Sequence, residues 1–107
     1  NDVVAYATSD KRLKENFIII PNALDKISTI SGYEFDWIPL SEKEQKTIHG
    51  NKGHDVGVMA QEIEKVMPEL VTTRENGYKA VKYDKLVALL INGINELREE
   101  VEKLKNK

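Results

Sequence analysis

Hydrophobic residues fall in short blocks along the chain, and each change of spacing marks a predicted element. Val3-Val4-Ala5-Tyr6-Ala7 has strand character and runs into a polar cluster, Thr8-Ser9-Asp10-Lys11-Arg12. Phe17-Ile18-Ile19-Ile20 is a second apolar run, stopped by Pro21. Beyond it, Ala23, Leu24, Ile27 and Ile30 recur at three- and four-residue spacing, which predicts a short helix ending at Ser31-Gly32. Tyr33-Glu34-Phe35-Asp36-Trp37 alternates with period two, the pattern of a half-buried strand. Pro39 to Gly53 is polar and predicts an exposed loop or a protruding hairpin. Val56-Gly57-Val58 is a brief apolar step before a helix with Met59, Ile63, Val66 and Met67 on one face, closed by Pro68. Asn76-Gly77 lies between Val71-Thr72-Thr73 and Lys79-Ala80-Val81-Lys82-Tyr83, which predicts a hairpin.

The last segment, residues 84–107, has the clearest period. Asp84 is the expected N-cap, and no proline follows it. Val87, Ile94 and Val101 are seven apart, and so are Leu90, Leu97 and Leu104. The alternating intervals of three and four make an a/d seam over about three heptads. Glu100 then falls at g and Lys105 at the following e, a candidate interchain pair. Leu86, Leu89 and Ile91 widen the apolar face near the start. That part is expected to pack on a globular body while the Glu- and Lys-rich end projects as a coiled coil. The alternative is an amphipathic helix docked wholly on its own domain. The fold class is α+β: a small mixed body of short strands and helices with a long C-terminal helix.

Composition narrows the function classes. The 107 residues suit one domain, and a chain that opens on Asn1 is expected to be a piece of a longer protein. Sixteen basic against eighteen acidic residues provide no basic field for nucleic acid and no polybasic membrane surface. No apolar run approaches the ~20 residues of a membrane span. No nucleic-acid or membrane partner is therefore expected. Cysteine is absent, which excludes a disulfide framework, a thiol nucleophile and a thiolate metal site, and fits a reducing cytosol. His49 and His54 lie five apart beside Asp55 in a glycine-containing loop. Two imidazoles and a carboxylate without regular spacing read as a solvated loop, so no metal and no cofactor are expected.

One polar stretch contains residue types that chemistry could use. A serine becomes a nucleophile when an adjacent base takes its proton, and a neutral lysine can be that base. Thr8-Ser9-Asp10-Lys11-Arg12-Leu13-Lys14-Glu15-Asn16 holds both residue types, although on composition alone it is a polar turn before a strand. Between Ser9 and Lys14, five residues of extended chain would span ~16 Å, so the two can meet only across a sharp turn or between subunits.

Ser9-Asp10-Lys11-Arg12-Leu13-Lys14-Glu15-Asn16 resembles the opening motif of the peptidase S74 family, the C-terminal intramolecular chaperone domains of bacteriophage endosialidases, tailspikes and tail fibres. The similarity continues in order through Asn22-Ala23-Leu24-Asp25-Lys26-Ile27, Tyr33–Trp37, Val56-Gly57-Val58-Met59-Ala60-Gln61-Glu62-Ile63, Met67-Pro68-Glu69-Leu70-Val71 and Gly77–Leu86. The resemblance implies a domain that trimerises and folds an upstream fibre or spike segment of the same chain and then cuts itself off. By position it implies Ser9 as nucleophile, Lys14 as general base and Thr8–Ser9 as the scissile bond, with a one-residue offset as the alternative. Residues 1–8 would end the fibre and 9–107 would form the chaperone. The implied setting is the host cytoplasm during virion assembly, with the upstream product in the virion tail. β-branched a positions with Leu at d favour two strands in an isolated coiled coil. A homotrimer is nevertheless expected, because body contacts can override a short helix. A non-catalytic trimerisation cap, or a receptor-binding tip using the His49/His54 loop, is the competing function.

Overall fold

The period-two run forms strand β1 (Tyr33–Asp36) in the computed structural model, which describes residues 7–46 and 52–107. The strand expected at residues 3–7 lies, except for Ala7, outside the described residues, as does His49. β1 pairs antiparallel with β2 (His54–Gly57), in a register that sets Tyr33 against Gly57 and Asp36 against His54. The polar stretch after Pro39 thus leads from one strand of this pair to the other. Helix α1 (Ala23–Ile27) precedes the pair, and α2 (Glu42–Gln45) lies within the connection. A capping box starts α2: Ser41 Oγ accepts the Glu44 N–H, and the Glu44 carboxylate accepts the Ser41 N–H. His54 therefore stands in a strand, which corrects its placement in a loop. The alternation around it is too polar to have announced one.

Helix α3 (Ala60–Val66) is followed by a 3-10 turn at Pro68–Leu70, with proline at the turn's start, where no N–H is needed. Strands β3 (Val71–Thr73) and β4 (Lys79–Val81) pair antiparallel. Gly77 closes their turn at φ +87°, a left-handed conformation that glycine adopts without strain. Helix α4 (Tyr83–Lys105) begins directly after β4. Its N-cap is Lys82 rather than the expected Asp84, because no loop separates strand from helix. Asp84 sits in the first turn, where its charge complements the helix dipole.

The buried core is Ala23, Ile63, Leu70, Leu86 and Leu89, with Ile20, Ile27, Ile30, Val58, Met67, Val71 and Val81 packed around it. Two residues of α4 fix α1 against it. Gly93 leaves room for Ile27, whose δ-methyl would lie 2.0 Å from a Cβ at that position. Glu96 accepts the Ala23 N–H at 2.9 Å and the Leu24 N–H at 3.0 Å, capping a helix whose own N-cap, Asn22, makes no side-chain cap bond. These two backbone bonds, Leu24 first, hold the Glu96 carboxyl below the ordinary carboxylate range.

Helix α4 therefore has two distinct faces. Leu86, Leu89, Gly93 and Glu96 face the body. The seam residues Val87, Leu90, Ile94, Leu97, Val101 and Leu104 are 41–66% exposed and lie roughly 90° around the helix from that face. Docking on the body uses one face of α4 and leaves the seam open within one chain. Ile91 does not widen the docked face as expected: at 100° per residue it projects to the other side of α4 and is exposed.

Candidate functional site

Asp10 caps the turn between the two residues that the family motif singles out. It is the N-cap of a 3-10 turn at Lys11–Leu13, and its Oδ1 accepts the Arg12 N–H at 2.9 Å. The same carboxylate accepts from Arg12 Nε at 3.1 Å and from Nη2 at 2.9 Å. Two backbone bonds close the turn: Leu13 N–H to Asp10 O and Lys14 N–H to Lys11 O, each 3.1 Å. The chain reverses enough that Lys14 Nζ and Ser9 Oγ form a hydrogen bond at 2.7 Å within one chain. The extended separation of ~16 Å has been removed by one helical turn. Asn16, at φ +57°, then redirects the chain toward Pro21. Asparagine tolerates that left-handed conformation better than other side-chain-bearing residues.

Electrostatics at the turn are dominated by the Asp10–Arg12 pair. The Arg12 guanidinium, then its backbone N–H, holds the Asp10 carboxyl below its ordinary value, and Asp10 in turn raises Arg12. Ser9 and Lys14 are both exposed. The adjoining Leu13, Phe17, Ile18 and Ile19 are exposed too, so the turn stands off the body rather than in a cleft. Two concavities, of about 400 and 720 Å3, open beside β1 and β2 and along α4, and neither is lined by Ser9 or Lys14. The geometry can pass a proton from a hydroxyl to an amine, and the nearest acyl group in sequence is the Thr8 carbonyl.

Other polar groups are placed elsewhere. His54 Nδ1 lies 2.8 Å from Asp36 Oδ1 across the β1–β2 pair, and Nε2 lies 3.1 Å from Glu34 Oε1. Asp36, then Glu34, raises the imidazole above its ordinary value. Asp55 accepts from the Trp37 indole N–H at 3.0 Å. Among the described residues no group of three or more His, Asp or Glu is arranged to hold a metal ion. Glu62 of α3 accepts from the Tyr33 hydroxyl and from the Ser31 N–H, tying β1 to α3. Within one chain, the six seam residues form an open stripe on α4. No helix of the described residues is long and apolar enough to cross a membrane.

The family motif pairs Ser9 with Lys14 and gives no part to Asp10, which caps the turn between them. The signal was the residue type alone: aspartate is favoured at an N-cap, where its side chain accepts a backbone N–H two or three residues on.

Comparison with known proteins bears on the same segment. The Peptidase_S74 family model, described as the chaperone of endosialidase, matches residues 9–72, more than half of the chain. The long tail fiber protein Gp37 of Salmonella phage S16 is 35% identical over 92% of this chain and 13% of its own length. The Gp37 proteins of Enterobacteria phages M1 and Ox2 are 36% and 35% identical, over 98% and 94% of this chain and 41% and 39% of theirs. The chain thus spans less than half the length of these relatives.

Proposed function

Because this chain belongs to the Peptidase S74 family of endosialidase chaperones, we propose that it trimerises and folds an upstream tail-fibre segment and then releases itself by cutting Thr8–Ser9. The observation that carries the reading is the 2.7 Å contact between Lys14 Nζ and Ser9 Oγ, within the range a general base needs. The open a/d stripe of α4 supports assembly between copies of the chain. The fibre relatives support the identity of the client, and the family match over residues 9–72 supports a chaperone that begins near residue 9, which we extend to 107 with residues 1–8 as fibre.

In the proposed reaction neutral Lys14 takes the Ser9 hydroxyl proton, and Oγ attacks the Thr8 carbonyl carbon. The tetrahedral intermediate expels the Ser9 amide nitrogen, which takes the proton back from Lys14. Thr8 is left as an ester on Ser9 Oγ. Water then hydrolyses that ester, leaving a carboxylate on Thr8 and a free amine on Ser9. The substrate is attached to the nucleophile, so no binding cleft is required.

The exposure of both side chains favours a second reading, a trimerisation cap that stays on the fibre. Ser9→Ala separates the two. In the proposed mechanism the full-length precursor remains uncut on a denaturing gel while light scattering reports the same assembly as wild type. Continued cutting at the wild-type rate removes Ser9 from the mechanism, and a wild-type precursor that stays intact supports the cap.

A further inference from the structure

We propose that Asp10 is a positioning residue for self-cleavage: its carboxylate folds the 3-10 turn that holds the Lys14 amine on the Ser9 hydroxyl. The inference rests on Ser9 and Lys14 being nucleophile and base, and it adds how a solvent-exposed peptide keeps them together. Without the turn, residues five apart diverge by up to ~16 Å, and among the described residues Ser9, Lys14 and Leu13 are all exposed rather than held in the core. The turn has two backbone bonds of its own, at Leu13 and Lys14. Such an isolated turn is marginal in water, because fixing its dihedrals costs more than so few bonds return. Asp10 adds a third anchor by accepting the Arg12 N–H.

The carboxylate makes two kinds of contact, and they are not equivalent. The ion pair to the Arg12 guanidinium is in water, with the Arg12 side chain 83% exposed. Exposed pairs of this kind contribute little. The cap acts on the backbone that sets the Ser9–Lys14 distance. An asparagine preserves the cap oxygen and loses the charge. A glutamate preserves the charge but carries the oxygen one methylene too far to cap.

The test compares Asp10→Ala, Asp10→Asn and Asp10→Glu in the full-length precursor, with the rate of first-order cleavage as readout. Asp10→Ala is expected to slow cleavage about 10- to 100-fold, the range for a small misplacement of reacting groups. Asp10→Asn is expected to stay within about threefold of wild type, and Asp10→Glu to resemble Asp10→Ala. In the uncut Ser9→Ala chain, the Leu13 and Lys14 amides are expected to exchange with solvent faster when Asp10→Ala is added and unchanged when Asp10→Asn is added. Arg12→Gln is expected to change neither readout appreciably. Wild-type cleavage in Asp10→Ala overturns the proposal. So does an Asp10→Asn chain that cuts as slowly as Asp10→Ala while its turn amides keep wild-type exchange. Cutting that survives Ser9→Ala overturns the reading of Ser9 and Lys14 and the role of Asp10 with it. An inert Ser9→Ala beside a fully active Asp10→Ala overturns the role of Asp10 alone.

Discussion

Leu97→Asp tests whether the stripe on α4 is an interface between copies. Burying a large aliphatic side chain contributes ~1.5–3 kcal/mol. The six seam residues retain 41–66% of their exposure in one chain, so about half of that gain is still available, ~1 kcal/mol each and ~6 kcal/mol per chain. Leu97 is the central d position and is 51% exposed, so truncating it forfeits ~1 kcal/mol. An aspartate in its place must enter an apolar seam, and charge there is strongly disfavoured. Protonating a carboxyl of ordinary pKa ~3.9 at pH 7 costs ~4 kcal/mol. The two effects together approach ~5 kcal/mol per chain, nearly all the seam has to offer. The concentration for half-assembly should rise at least roughly a thousandfold. Light scattering over a dilution series reads it, with Glu99→Gln as an exposed control on the same helix. Because the penalty is that of a charge, assembly of Leu97→Asp should recover partly near pH 4, where protonation is almost free. A Leu97→Asp chain that stays assembled at micromolar concentration and pH 7 would refute the seam as the interface.

Three further expectations concern single residues. Gly93→Ala gains ~1 kcal/mol of helix propensity but drives a Cβ to 2.0 Å from the Ile27 δ-methyl, at an overpacking cost of ~1–3 kcal/mol. A net loss of about 1 kcal/mol should lower Tm by about 4–8 °C, and in an Ile27→Val background, which lacks that methyl, the same change should raise Tm. Glu96→Gln should weaken α1 docking at neutral pH. The folded carboxyl lies below its ordinary 4.5, so its contribution is present above that value and fades as pH falls through the lowered one. The Tm gap between wild type and Glu96→Gln should therefore shrink on acidification from pH 6 to 3, and a pH-independent gap would contradict the cap. Lys14→Arg preserves charge but cannot give up its proton, so the precursor should remain uncut; retained cleavage would make Lys14 a structural cation.

What could be read from sequence divides by the distance over which each cause acts. The alternation at Tyr33–Asp36 is local, and β1 forms there. Its partner was not legible, because His54-Asp55-Val56-Gly57 is too polar to declare a strand and pairs across an intervening helix. The heptad spacing of α4 depends only on the helix itself and was plain, whereas its start was misplaced by the direct passage from β4. Glu96 was invisible as a cap, since it closes a helix 72 residues upstream. Ser9 and Lys14 emerged from a family motif. Their meeting within one chain depends on the Asp10 turn, which residue types alone suggest only once a turn is assumed.

The separation of the two faces of α4 bears on when a self-cutting domain would act. The body-facing residues hold α1 through Gly93 and Glu96 without engaging the seam, so the docking of α1 makes no demand on the seam. Among the described residues the buried hydrophobic core is small, Ala23, Ile63, Leu70, Leu86 and Leu89, while the seam, Leu13 and Phe17–Ile19 remain in water. Such a chain has apolar surface that the proposed assembly would bury. The Ser9–Lys14 distance is already set inside one chain by the Asp10 turn, so assembly is not needed to bring the pair together. What assembly can alter is their exposure, since both now face solvent. In the proposed trimer, control over cutting would therefore act through solvent access to a pair already in contact rather than through its geometry.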